Sequence, residues 1–417
     1  MNTPCPVLLL LLFLTSCGSP PTITDAEAEA AIGFELVGTD PEAATGHFLN
    51  AAVTYRNIDS LWRYHDFLYD ASDSLEPDSV NMEHIIRLLT DVYTIPDQIH
   101  PAVARTYGLL GYYYAQAGNE LQAMGALQKA YESYPPKEFE RNIMPVIYYA
   151  GSLIRIGDNE QAIGLLSRHE ADLLNTGYPA EYRQDLLDFY AEFAVAYWDQ
   201  GSNYTQKGLN TVQRGLEQAL HYQLDTFPDN YARLLLKQAN LHLLNEDATS
   251  AAATLSQING FKPAGEWSTD SRSNHQIYLS KLTSLAQIKL LRKDYSSALQ
   301  IIREAIEGQR ACSRLQDIKR LLAKQQLDEA AILKASGDHN AAISACIDAL
   351  QSVLPNYRSE ENDLPSPTLF YAENTITEAL HLLGQSAAAQ YQMESSPESL
   401  DLAIDAYRDA EIAELIL

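Results

Sequence analysis

Residues 104 to 137 read ARTYGLLGYYYAQAGNELQAMGALQKAYESYPPK. Tyr107, Leu110, Gly111 and Tyr114 fall at i, i+3, i+4 and i+7, which places them on one face of a helix. Gly118-Asn119 breaks the run with residues that turn easily. Ala123, Leu127 and Ala130 share a face of a second helix, and Pro135 ends it, because proline lacks an amide hydrogen and clashes with the preceding turn. Small residues at Gly111 and Ala123 let the two helices cross closely. A single hairpin of this kind cannot bury its own apolar stripe, so it needs neighbours.

The neighbours follow along the chain. Tyr149, Ala150, Leu153, Gly157, Ala162 and Leu166 repeat the pattern. Tyr190, Ala194, Tyr197 and Gly201 start a third copy, whose second helix is offset by a short insertion. Leu235, Ala239, Ala251, Leu255 and Ile258 make a fourth. A fifth holds Leu282, Leu285, Ala286, Ala298, Ile302 and Ala305; a sixth holds Ala330, Leu333, Gly337-Asp338, Ala342, Cys346 and Ala349. Glu373 to Met393 and Ser399 to Leu415 form one more long helical pair. No proline interrupts Ala264 to Leu354, and sustained period-two runs are absent. The first unit resembles the tetratricopeptide (TPR) repeat at all eight signature positions within 34 residues. That resemblance implies an all-α fold, a TPR-type solenoid of helical hairpins wound as a right-handed superhelix. The segment from Pro41 to Tyr93 is helical but degenerate and reads as an N-terminal cap. The expected layout is a leader over 1–16, a tether over 17–40, a cap over 41–100, the array over 101–356 and a C-terminal pair over 357–417.

Composition narrows the function. Apolar residues make up 46% of the 417, enough for a sizeable core. The formal net charge is −26, which argues against nucleic acid, because neutralising phosphates takes surplus Lys and Arg. Four cysteines are too few for a disulfide scaffold.

The N-terminus carries its own signal. Val7 to Leu14 is an apolar run too short to span a bilayer, which takes about 20 residues, and it fits the h-region of a signal peptide. The tetrad Leu14-Thr15-Ser16-Cys17 resembles the lipobox of bacterial lipoproteins, although the n-region carries no Lys or Arg. In that family the cysteine thiol is acylated, the bond before it is cut and the new amino group is usually acylated too. Two or three acyl chains hold a membrane stably where one does not. Cys5 would leave with the leader, and Gly18 to Thr24 reads as a polar tether. Gly18 is not the Asp of an inner-membrane retention signal, so the resemblance points to the envelope at the outer membrane.

Reactive groupings are missing from the sequence. None of the ten His sits in a catalytic or metal-binding pattern, and no phosphate-binding glycine loop appears. The reading therefore includes no metal, no cofactor and no enzymatic activity. Cys346 occupies a position where the repeat wants a buried small residue; whether it pairs with Cys312 is left open by the spacing. Tyrosine is abundant, 25 against 10 Phe. In a TPR array the first helices line the concave groove. Extending the register places Arg105, Tyr112, Ile147, Trp198, Leu235 and His242 there, as candidates for gripping a protein or peptide segment.

A second resemblance lies in the C-terminal part. Leu364-Pro365, Leu369 to Thr375, Glu378-Ala379-Leu380 and Leu400 to Tyr407 resemble a linker in Bacteroidetes-type proteins, where a TPR array precedes a caspase-like CHAT domain. The chain reaches Leu417 before any such domain, so no catalytic residue carries over; the expectation is an orphaned or shortened TPR half. Three readings follow: a lipid-anchored scaffold binding a protein or peptide; a nutrient-binding lipoprotein resembling the SusD group; and the regulatory half of a split CHAT protease.

Overall fold

The computed structural model describes residues 21–58, 61–75, 81–94, 98–139, 142–176, 183–224, 228–261, 272–312, 319–354, 356–359, 363–371 and 373–416. The leader, Cys5 and the lipidation candidate Cys17 lie outside the described residues. Among the described residues there is no β-strand, and no helix is long and apolar enough to cross a membrane. The chain divides into two compact units, Met1–Asp97 and Gln98–Leu417.

The first unit holds α1 (Ile23–Leu36), α2 (Pro41–Asn57), α3 (Leu61–Ser74) and α4 (Met82–Leu89), followed by a 3-10 turn over Thr90–Thr94. The stretch expected as a tether to residue 40 is thus mostly helical. Its cause is local: Thr22 Oγ1 accepts from the Asp25 amide while the Asp25 carboxylate accepts from the Thr22 amide at 2.7 Å, a reciprocal cap on an alanine-rich run. Asp40 caps α2 with a single bond, its carboxylate accepting from the Ala43 amide at 3.0 Å, and Pro41 sits in the first turn. Phe48, Tyr64, Leu68, Ile85 and Leu88 are fully buried in this unit. Tyr64 donates to Asp91 at 2.8 Å, and Arg56 Nη1 lies 3.3 Å from the same carboxylate.

The second unit is a stack of seven helical hairpins among the described residues. They are α5 (Pro101–Gln116) with α6 (Glu120–Ser133), α7 (Met144–Arg155) with α8 (Asn159–Thr176), and α9 (Asp185–Asp199) with α10 (Thr205–Tyr222). Then come α11 (Pro228–Leu244) with α12 (Ala248–Leu255), α13 (Arg272–Leu291) with α14 (Tyr295–Cys312), α15 (Arg320–Ser336) with α16 (His339–Val353), and α17 (Asn374–Glu394) with α18 (Pro397–Glu414). The insertion expected in the third copy is a 3-10 turn over Ser202–Tyr204, placed after Gly201.

One turn recurs between paired helices: a left-handed residue, then an Asp or Asn that starts the next helix. Gly337 (φ 90°) precedes Asp338, whose carboxylate accepts from the Ala341 amide at 3.2 Å. Lys293 (φ 60°) takes the same left-handed position before Asp294, although it carries a Cβ. Each first helix from α11 to α15 feeds two clusters of buried side chains. Leu234 and Leu241 of α11 pack with the hairpins before it, Leu235 and Leu236 with α13; α13 and α15 are shared likewise. The apolar core therefore runs unbroken through the stack, as nearest-neighbour packing demands. Cys346 is buried in it, its thiol pushed up to about 12 by burial, and no disulfide joins it to Cys312.

Candidate functional site

The first helices of successive hairpins stand side by side and wall a cavity of about 630 Å³. Helical periodicity selects its lining. On α7 the inward residues are Ile147, Tyr148, Gly151 and Arg155; on α9 they include Asp188 and Glu192; on α11, Leu236, Lys237 and Asn240. The wall is aromatic towards α5 and α7, where Tyr112 and Tyr148 keep 45% and 49% of their surface. It is charged and amide-bearing towards α9, α11 and α15.

Most polar groups on the charged side are braced. Asp188 accepts from Asn230 Nδ2 at 2.8 Å and lies 3.8 Å from Arg233. Asn240 accepts from Ser284 at 2.8 Å, which leaves its amide hydrogens to the cavity. Outside the lining, Gln287 of α13 donates to Asp328 of α15 at 2.8 Å. Burial raises Asp188, against the pull of Arg233 and Asn230. It pushes Asp185 up to about 6, with help from Asp188, and Asp328 up to about 6 despite Gln287. Asp199 reaches solvent yet is surrounded by protein from several hairpins, and it too is pushed up to about 6 by burial.

The seven hairpins curve until their ends meet. Arg320, at the start of α15, donates from Nη2 to Glu120 Oε1 of α6 at 2.9 Å and from Nε to Glu373 Oε2 at 2.6 Å. Arg155 Nε holds the other oxygen of Glu120 at 2.8 Å. Glu373 also caps α17, accepting from the Thr375 amide at 3.0 Å. The result is a chain of four alternating charges in which the side chains of Glu120 and Glu373 are buried. Burial alone would raise Glu373; Arg320 and Thr375 outweigh it and hold it below its ordinary value. Burial alone would lower Arg320; the two carboxylates reverse that.

The sequence-derived candidates distribute unevenly. Tyr112 and Ile147 line the cavity, although Ile147 is only 5% exposed. Trp198 borders a small recess that shares Lys237 and Asn240 with the cavity. Arg105 is exposed on α5, two helical turns before Tyr112. Leu235 does not face the groove: it is 2% exposed in the core, and its neighbour Leu236 takes the inward position. His242 sits in the last turn of α11 with Nδ1 3.9 Å from Asp247, away from the cavity lining. The extrapolated register fails at these two because the inward stripe of α11 runs through Arg233, Leu236, Lys237 and Asn240, and both residues fall off its i, i+3, i+4, i+7 rows. Lys237, Glu192, Arg233 and the four joined charges were not among the candidates. The spacing of Asp185, Asp188, Glu192 and Asp199 could have marked the inner face of α9; nothing local marks Glu120 as a partner of Arg320. Among the described residues no group of three His, Cys, Asp or Glu is placed to hold a metal.

No family model matches the chain, and no curated sequence matches it. Solved structures do. The Rap protein complexed with Competence and Sporulation Factor superposes with a TM-score of 0.55 at 15% identity, over 95% of this chain and 99% of that one. The apo form of RapI gives 0.51 at 14% identity, over 93% and 99%. A tetratricopeptide repeat protein from Parabacteroides merdae covers 75% of this chain and 98% of its own at 14% identity, with a TM-score of 0.40. At these identities the likeness is one of fold: an all-α, TPR-type array of helical hairpins.

Proposed function

We propose that the chain is a non-catalytic scaffold whose inner groove holds a segment of another protein or a peptide. The observation that carries this is the lining of the cavity. Rigid aromatic faces at Tyr112 and Tyr148 stand opposite unspent amide donors at Asn240 and charges of both signs at Glu192 and Lys237. Aromatic rings supply contact area at low entropic cost, and amides satisfy the main chain of a bound segment. The Rap protein that superposes over nearly the whole chain was solved with Competence and Sporulation Factor, which fits a ligand-holding use of this architecture. The same reading places the protein in the bacterial envelope, held by acyl chains on Cys17 at the outer membrane. It also keeps the resemblance to the TPR half of CHAT-domain proteins.

A photo-crosslinking amino acid at Tyr148 tests the groove, with one at Leu220, 70% exposed on α10, as control. Adducts are expected from Tyr148 alone; equal labelling from both sites would defeat the reading. Cys17→Ala should release a folded protein from the membrane fraction. Sedimentation with membranes after a high-salt wash would refute the anchor.

A further inference from the structure

We propose that the meeting of the array's two ends is a gate: the stack opens and recloses between α6 and α15–α17, and the groove is entered there. The proposal rests on the reading of the groove as a binding site. Its first support is the chemistry of the joint. Consecutive hairpins meet through apolar side chains such as Leu166, Leu187, Leu234 and Ile277. The end-to-end joint is instead held by Arg320 reaching Glu120, while Glu373 of the adjoining hairpin holds the same guanidinium from its own side.

Packing is the second support. A cavity of about 410 Å³ lies beside these ions, between Ala117–Gln122 on one lip and Leu354, Leu369 and Tyr371 on the other. Close-packed interiors leave few voids larger than a water, so this joint lacks the interdigitation found along the stack. Opening an apolar joint exposes hydrocarbon at about 25 cal/mol per Å². Opening an ionic joint rehydrates both partners, which recovers much of what separation loses. Of the joints in the unit, this one therefore has the lowest opening free energy.

The third support is placement. Glu120, Arg155 and Arg320 belong to the lining of the inner groove as well as to the joint. The carboxylates are hidden, while Arg155 and Arg320 keep 32% and 23% of their side-chain surface. Arg155 bonds Glu120 through Nε, which leaves its Nη hydrogens to donate to a ligand oxygen. An occupant that reaches both guanidinium groups touches both lips and so favours the closed form.

Amide hydrogen exchange on the full chain decides the matter without any ligand. In Arg320→Leu, exchange at residues 117–122 and around Leu354 and Leu369–Tyr371 should rise about tenfold or more, while α9 and α11 keep wild-type rates. Arg320→Lys, which keeps the charge but loses the fork, should fall between. Small-angle scattering of Arg320→Leu should show a longer maximum dimension. Unchanged exchange at both lips overturns the gate. So does a rise spread evenly over all the hairpins, which would make the ions part of the global core. Glu120→Gln covers the case in which Arg320→Leu does not fold, and the same local pattern is expected of it. The crosslinking experiment at Tyr148 reads a different quantity, so failure of the groove and failure of the gate are distinguishable.

Discussion

The first and fifth hairpins of the second unit reach one geometry by opposite residue choices. In α5/α6 the crossing glycine is on the first helix: a Cβ on Gly111 would stand 2.5 Å from Leu127 Cγ. In α13/α14 it is on the second helix: a Cβ on Gly308 would stand 2.6 Å from Leu279 Cδ2. Their turns differ as well, with Gly118 at φ 77° in one and Lys293 at φ 60° in the other. Their inner faces diverge too: α5 offers Tyr112 to the cavity, while α13 offers Gln276 and Ser280. A crossing needs one small residue from either helix, and a turn needs one residue in the left-handed region. Neither needs a fixed position, so motif similarity fades along the array while the fold does not.

Leucine at the glycine crossings should produce the largest effect. Gly111→Leu and Gly308→Leu are each expected to cost about 1–3 kcal/mol by overpacking, read from urea unfolding. The exchanged pair Leu279→Gly with Gly308→Leu should recover part of the second loss. Unchanged stability in Gly308→Leu would mean that the two hairpins are not equivalent after all.

A smaller effect concerns a carboxyl packed between α13 and α15. Asp328 titrates near 6 in the folded chain, above its ordinary value of 3.8. The folded state therefore binds that proton more tightly than the unfolded state, and stability falls as pH rises through this window. Asp328→Asn keeps an acceptor for Gln287 and should raise stability at pH 7.5 by about 1 kcal/mol, a gain that vanishes near pH 4. A constant gain across pH would show that the carboxyl is not under strain.

The turns give the smallest change. Gly118→Ala should cost about 1 kcal/mol, because a Cβ is disfavoured at that φ. Lys293→Gly should gain about 0.5 kcal/mol, the relief of φ being partly offset by the looser unfolded chain. Thermal scans that show the two turns responding alike would erase the distinction between glycine and non-glycine versions.

The hairpins were legible because their signals are local. Apolar spacing, Gly-Asp and Gly-Asn turns and proline positions all act within one pair of helices. Asp247 and Asp294 kept the turn readable even where Glu246 and Lys293 replaced glycine. The groove was legible near its start, at Tyr112 and Ile147, and then drifted on α11, whose rotation about its own axis is set by packing on both neighbours and not by the motif. Leu235 was off by one residue for that reason. The joined charges were not legible at all. Glu120 and Arg320 are 200 residues apart, and each looks like an ordinary helix-terminal charge in the sequence. Only the accumulated curvature of the hairpins between them makes them partners.

That accumulated curvature also constrains how the protein can change over generations. Open solenoids lengthen or shorten by duplicating or losing a unit, since each contacts only its neighbours. Here a gained or lost hairpin would carry Arg320 past Glu120 by a whole step and leave one buried oxygen of Glu120 without its partner. The repeat count is thus locked by the circle's circumference, and variation is steered into the residues of its inner rim.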